Sequence, residues 1–126
     1  MSDANDEKPH VWTGHIVLYG RDPHRSGNFY EKLGFRPVAV RDPWAVMELR
    51  GGTHMVVRLD PDAKGKPADF DLMVEDLDAT RQAWQAMGVP VSEIGKDDMG
   101  RHDMFVVTDP DGNTIEVKDS HVVGVV

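Results

Sequence analysis

Phe29-Tyr30-Glu31-Lys32-Leu33-Gly34-Phe35 ends a helix and opens a strand within seven residues. Phe29 and Leu33 stand one turn apart and can face a sheet. Gly34 suits the left-handed position that closes a helix, and Phe35 starts the next apolar run. Met87-Gly88-Val89 repeats this junction 54 residues later, and the same offset sets His15 against Asp69. A helix-to-strand junction that recurs at one spacing points to an internal repeat.

Working outward, residues 11–18 are predicted to form a strand, with His15 and Val17 on one face and Ile16 and Leu18 on the other. Asp22-Pro23 breaks it, and a short helix over 25–33 follows. Three strands are expected at 35–40, 44–49 and 54–59, divided by Asp42-Pro43 and Gly51-Gly52. The polar segment 60–68, with Pro61, Gly65 and Pro67, reads as a linker. The pattern then restarts. A strand at 70–74 leads to a helix capped by Asp76 or Asp78, running through Met87 with Leu77, Thr80, Trp84 and Met87 on its inner stripe. Strands at 91–94, 104–107 and 114–117 complete it, the last two joined by the tight-turn sequence Asp109-Pro110-Asp111-Gly112.

The expected fold class is therefore α+β. Two βαβββ modules, 11–59 and 69–118, form a curved eight-stranded mixed sheet around a cavity. Neither module buries its sheet alone, so one domain over 1–126 is expected, preceded by a flexible tail at 1–9. The lack of helices after the second and third strands argues against a Rossmann arrangement. A decorated ferredoxin-like domain is the alternative.

The 126 residues suit one ordinary domain, and 40% hydrophobic content is enough for a core. With no cysteine, disulfides, zinc-thiolate sites, thiol nucleophiles and iron–sulfur clusters are all excluded. Fourteen Lys and Arg against 22 Asp and Glu give a formal charge of -8, a surface that repels polyphosphates and anionic lipids. No nucleic acid and no membrane are expected as partners. The polar start and the absence of a long apolar run predict a cytoplasmic location.

His15 lies in an otherwise apolar strand, where it is either a metal ligand or a histidine satisfied by a neighbour. Glu116, between Ile115 and Val117, faces either solvent or a polar cavity. Asp69 is a ligand candidate or a solvated linker residue. The repeat places His15 and Asp69 at equivalent points on strands one and five. An imidazole and two carboxylates converging there would suit Fe(II), Mn(II), Co(II), Ni(II) or Zn(II), with open positions for a chelating substrate. His54 is a possible fourth ligand, although matching Gly52 to Gly112 sets Glu116 opposite Val56 instead. His102 enters the seventh strand behind Gly100 and is either a pocket acid or base or a surface residue at the strand mouth.

Three separated segments resemble one family. They are Gly14-His15-Ile16-Val17-Leu18 leading to Asp22, Ser26 and Phe29–Phe35; Val74-Glu75-Asp76-Leu77-Asp78; and Thr108-Asp109-Pro110-Asp111-Gly112-Asn113-Thr114-Ile115-Glu116. Together they are similar to the glyoxalase/bleomycin-resistance/dioxygenase superfamily, also called vicinal oxygen chelate proteins. The resemblance implies metal ligands on strands one, four, five and eight. His15 and Glu116 match that pattern, whereas the fifth-strand position, commonly His, is Asp69. It further implies a glyoxalase-like metal-dependent enzyme of lyase or isomerase type acting on a small oxygenated substrate, with Glu116 or His102 moving the proton. The alternative is a metal-free small-molecule binder of the bleomycin-resistance type. A homodimer is implied in either case.

Overall fold

A computed structural model describes residues 7–122. Two helices and eight strands follow in the order β1 (His15–Gly20), α1 (Pro23–Lys32), β2 (Arg36–Arg41), β3 (Trp44–Glu48), β4 (His54–Leu59), β5 (Pro67–Val74), α2 (Leu77–Ala86), β6 (Gly95–Lys96), β7 (Asp103–Thr108) and β8 (Thr114–Asp119). The strands are hydrogen-bonded as two mixed sheets of four, ordered β1-β4-β3-β2 and β5-β8-β7-β6. Each sheet has one parallel pair, β1 with β4 and β5 with β8. β1 and β5 are both edge strands. Most of the expected tail, residues 1–6, lies outside the described residues.

Local chemistry sets the helix ends. The Asp22 side chain accepts from the His24 and Arg25 backbone amides, and Pro23 fills the first helical position. Asp76 caps α2 through Ala79 N at 3.0 Å. Gly34 and Gly88, each just past a C-cap, have φ of 107° and 82°. The repeated glycine junction is thus a repeated left-handed helix stop.

Alternation puts one face of each sheet against its helix. Leu18, Ala45, Met47, Met55 and Val57 from the first half join Leu72, Phe105, Val107, Ile115 and Val117 from the second in one continuous core. Leu18 pairs with Val57 and Leu72 with Val117, so the two parallel ladders correspond from Val17 and Asp71 onward. The opposite sheet faces stay open: Val17 and Tyr19 are 45% and 44% exposed, where Leu18 between them is 2%.

Two expected features differ. In place of a strand at 91–94, Val91 makes one bridge to Val107, and the pairing resumes only at Gly95–Lys96. The Ser92 hydroxyl accepts the Val106 N–H at 2.7 Å, taking a donor that a regular ladder would give to a backbone carbonyl. Met87 is 45% exposed rather than on the inner stripe of α2. As the C-cap it lies beyond the last helical turn and loses the 3.6-residue facing.

The halves are locked by the turn between β7 and β8. Asp109, 5% exposed, accepts Tyr30 Oη at 2.8 Å, and Asn113 Nδ2 at 3.0 Å. Its second oxygen takes the backbone amides of Asp111 and Asn113. Asn113 Nδ2 also reaches the Tyr19 carbonyl at 3.0 Å. Burial, with the Asp109 carboxylate behind it, pushes the Tyr30 phenol well above the ordinary tyrosine range. Tyr30 therefore stays protonated and donates. Gly65 packs on Gly112 so closely that a Cβ there would lie 2.2 Å from backbone atoms.

Candidate functional site

The β7–β8 turn also holds a second carboxylate that accepts four hydrogen bonds. Asp111 Oδ1 accepts from Arg21 N at 2.9 Å, Arg21 Nε at 3.2 Å and Arg25 Nη2 at 2.9 Å, while Ser26 Oγ donates to Oδ2 at 3.3 Å. Burial works to raise this carboxyl, but the Arg21 bonds, the Arg25 charge and the Ser26 bond together bring it below the ordinary aspartate range. A depressed carboxylate stabilises the fold above its unfolded-state pKa and loses that contribution as pH falls through its folded one. Thermal melts between pH 6 and 3 should therefore show wild-type stability declining below about pH 4. Asp111→Asn should start lower and decline less over that window. Parallel declines in both proteins would remove Asp111 from the account.

The open face of the first sheet is built as three cross-strand rows. His15, His54, Glu48 and Arg36 form the first, Val17, Val56, Val46 and Ala39 the second, and Tyr19, Arg58, Trp44 and Arg41 the third. In the first row, Arg36 is ion-paired with Glu48, whose other oxygen lies 3.0 Å from His54 Nε2. The His15 and His54 rings meet edge-on, centroids 5.8 Å apart. In the third, the Arg41 guanidinium lies 5.8 Å from the Trp44 ring centre.

The open face of the second sheet is acidic with one buried-stem cation. Asp71 pairs with Glu116, and Met73 with Lys118. Lys118 Nζ lies 3.1 Å from Asp71 Oδ2 and 3.9 Å from Glu116 Oε1. The hydrogen bond to Asp71 comes first among the causes that raise the Lys118 ammonium above the ordinary lysine range, and the Asp71, Glu116 and Asp97 charges add to it against the effect of burial. Lys118 thus stays positive between two carboxylates.

The sequence candidates fall on these faces but do not meet within one chain. Among the described residues no three His, Asp or Glu side chains are grouped to hold a metal ion. His15 and His54 are neighbours on the first sheet, and Glu116 lies on the second. Asp69 is exposed at a register shift between Pro67 and Asp71, so Asp71 rather than Asp69 stands beside Glu116. The Glu116 ladder position corresponds to Val56, through the matched pairs Leu18–Val57 and Leu72–Val117. His102 stands at the far end of β7, four residues from the Val106 that pairs with Glu116, or about 13 Å along the strand. There its Nδ1 lies 3.2 Å from Asp119 Oδ1 and its ring 4.6 Å from that of His121.

The donor set is a poor match for a divalent ion. Asp71 is ion-paired with Lys118, whose ammonium also lies 3.9 Å from Glu116, His54 is engaged by Glu48, and the strand-four position facing Glu116 in the repeat carries Val56. A divalent ion at Glu116 would sit against an ammonium about 4 Å away, a repulsion that opposes loading. Lys118 and Glu48 escaped the sequence reading, yet spacing held the signal: Thr114, Glu116 and Lys118 alternate on one face, as do Trp44, Val46 and Glu48. A cleft of about 710 Å³ beside β5, lined by Leu49, Arg50, Asp71, Met73 and Glu75 among others, reaches Asp71 but neither His15 nor Glu116. No described helix is long and apolar enough to cross a membrane.

The sequence model of the Glyoxalase/Bleomycin resistance protein/Dioxygenase superfamily matches residues 12–117. No curated protein matches the chain. Among solved structures, a member of that superfamily from Sphaerobacter thermophilus DSM 20745 is 20% identical with a TM-score of 0.74, over 87% of this chain and 98% of its own. A lactoylglutathione lyase from Agrobacterium tumefaciens is 19% identical with a TM-score of 0.71, over 90% and 96%. A bleomycin-binding protein complexed with bleomycin is 19% identical with a TM-score of 0.70, over 88% and 99%. At these identities the likeness is one of fold.

Proposed function

Since the chain belongs to the Glyoxalase/Bleomycin resistance protein/Dioxygenase superfamily, we propose that it binds a small molecule without a resident metal ion, in a groove completed by a second copy. The observation that carries this reading is Lys118, whose ammonium lies 3.1 Å from Asp71 and 3.9 Å from Glu116, a fixed cation where a metal ion would have to load. The family and its fold admit both lyases and binders, so the side chains decide.

Edge geometry supports the second copy. β1 and β5 each end their sheet, leaving backbone donors and acceptors unpaired by another strand. Apolar side chains, including Val17, Tyr19 and Met73, remain exposed beside them. Bringing β1 of one copy to β5 of another would continue one sheet into the other and set the two open faces along the walls of one groove. Such a groove would offer an apolar floor with a few polar groups, the usual form of a ligand site.

Protein purified without added metal is expected to contain far less than one divalent ion per chain by elemental analysis, and to sediment at twice the chain mass of 14.1 kDa. A stoichiometric divalent ion in that preparation would overturn the metal-free reading and return the chain to the metal-dependent lyase or isomerase class. A persistent monomer would overturn the shared groove.

A further inference from the structure

The three rows of the first open face differ in chemistry, and the third holds two guanidiniums without a carboxylate partner among the described residues, one of them over the Trp44 ring. Arg58 stands between Tyr19 and Trp44 as their cross-strand partner, and Arg41 follows on the far side of Trp44. Neither guanidinium has a carboxylate within ion-pair distance among the described residues. In a chain carrying 22 acidic residues against 14 basic ones, two arginines without a carboxylate partner alternate in this row with two aromatic rings. Arg36 on the same strand as Arg41 is ion-paired, as are Arg21 and Arg25.

We infer that this face selects a flat, apolar ligand carrying one anionic group, with the anion on Arg58 and Arg41 and the ring system over the valine row. The inference rests on the small-molecule reading and names the ligand class for the same groove. Guanidinium forks bind carboxylate and phosphate oxygens in a shared plane, and Trp44 and Tyr19 supply ring faces and edges for stacking. Rows on one strand face are about 6.7 Å apart. An anion over the third row therefore leaves a two-ring body lying on Val17, Val46 and Val56. Beyond it, the His15 and His54 imidazoles of the first row meet the far end of the ligand. The net acidity of the chain does not oppose this, because Arg58 and Arg41 set the local potential at contact distance.

The test compares 2-naphthoate with 2-naphthylmethylammonium, matched in ring and opposite in charge. Binding to the full chain is followed by calorimetry and by amide shifts of residues 15–19, 44–48 and 54–58. The naphthoate is expected to bind about tenfold or more tighter than the ammonium, moving those amides. Arg58→Gln should abolish most of that preference and Arg58→Lys should restore part of it, with melting temperatures near wild type because Arg58 is exposed. Equal or tighter binding of the ammonium at these amides would overturn the anionic assignment while leaving the groove in place. Binding of neither probe at the first sheet would overturn both.

Discussion

Asp109→Ala is expected to lower the melting temperature by about 10–20 °C. Four donors lose their acceptor at once: Tyr30 Oη, the Asn113 side-chain amide, and the Asp111 and Asn113 backbone amides. Tyr30 is fully buried and Asn113 is 2% exposed. An orphaned buried donor costs about 1–3 kcal/mol. Asn113 keeps the Tyr19 carbonyl, and water entering the space left by the carboxylate recovers part of the rest. The expected total is about 3–5 kcal/mol, large for a single substitution. Asp109→Asn retains one acceptor oxygen and should fall between the two. Tyr30→Phe should cost about 1 kcal/mol, one hydrogen bond. A melting curve for Asp109→Ala that overlays wild type would show that the turn does not hold the halves together.

That lock marks the limit of what the sequence displays. Asp109-Pro110-Asp111-Gly112 is legible as a tight turn because Pro and Gly constrain the backbone locally. Its carboxylates' partners, Tyr30, Arg21, Arg25 and Ser26, lie 79 to 90 residues away, and only the assembled halves bring them together. The modules themselves were legible because both are written in local signals. Gly34 and Gly88 stop their helices at positive φ, β4 falls at His54–Leu59 as expected, and Leu18 on β1 and Leu72 on β5 keep the 54-residue offset at equivalent ladder positions. The sixth strand was not, because Ser92 diverts a ladder hydrogen bond and alternation alone does not reveal that. At the site, the facing of His15, His54 and Glu116 could be read from alternation. Their grouping could not, since it depends on which sheet meets which.

The second large effect concerns Lys118. Its ammonium offsets one of the two negative charges that Asp71 and Glu116 carry on adjacent strands, so replacing it with a neutral side chain leaves both carboxylates side by side with no counter-charge. Divalent affinity rises with the number of uncompensated ligand charges, and removal of a repelling cation about 4 Å away acts in the same direction. Lys118→Met keeps the apolar stem that covers the sheet, which separates loss of charge from loss of packing. Titration of wild type and Lys118→Met with Mn(II), Ni(II) and Zn(II), followed by calorimetry, measures whether Lys118 keeps a divalent ion from these carboxylates. Weak binding to wild type and a gain of about tenfold or more in the variant, reversed by adding Glu116→Gln, are expected. Stoichiometric, tight binding to wild type that Lys118→Met leaves unchanged would contradict the metal-free reading.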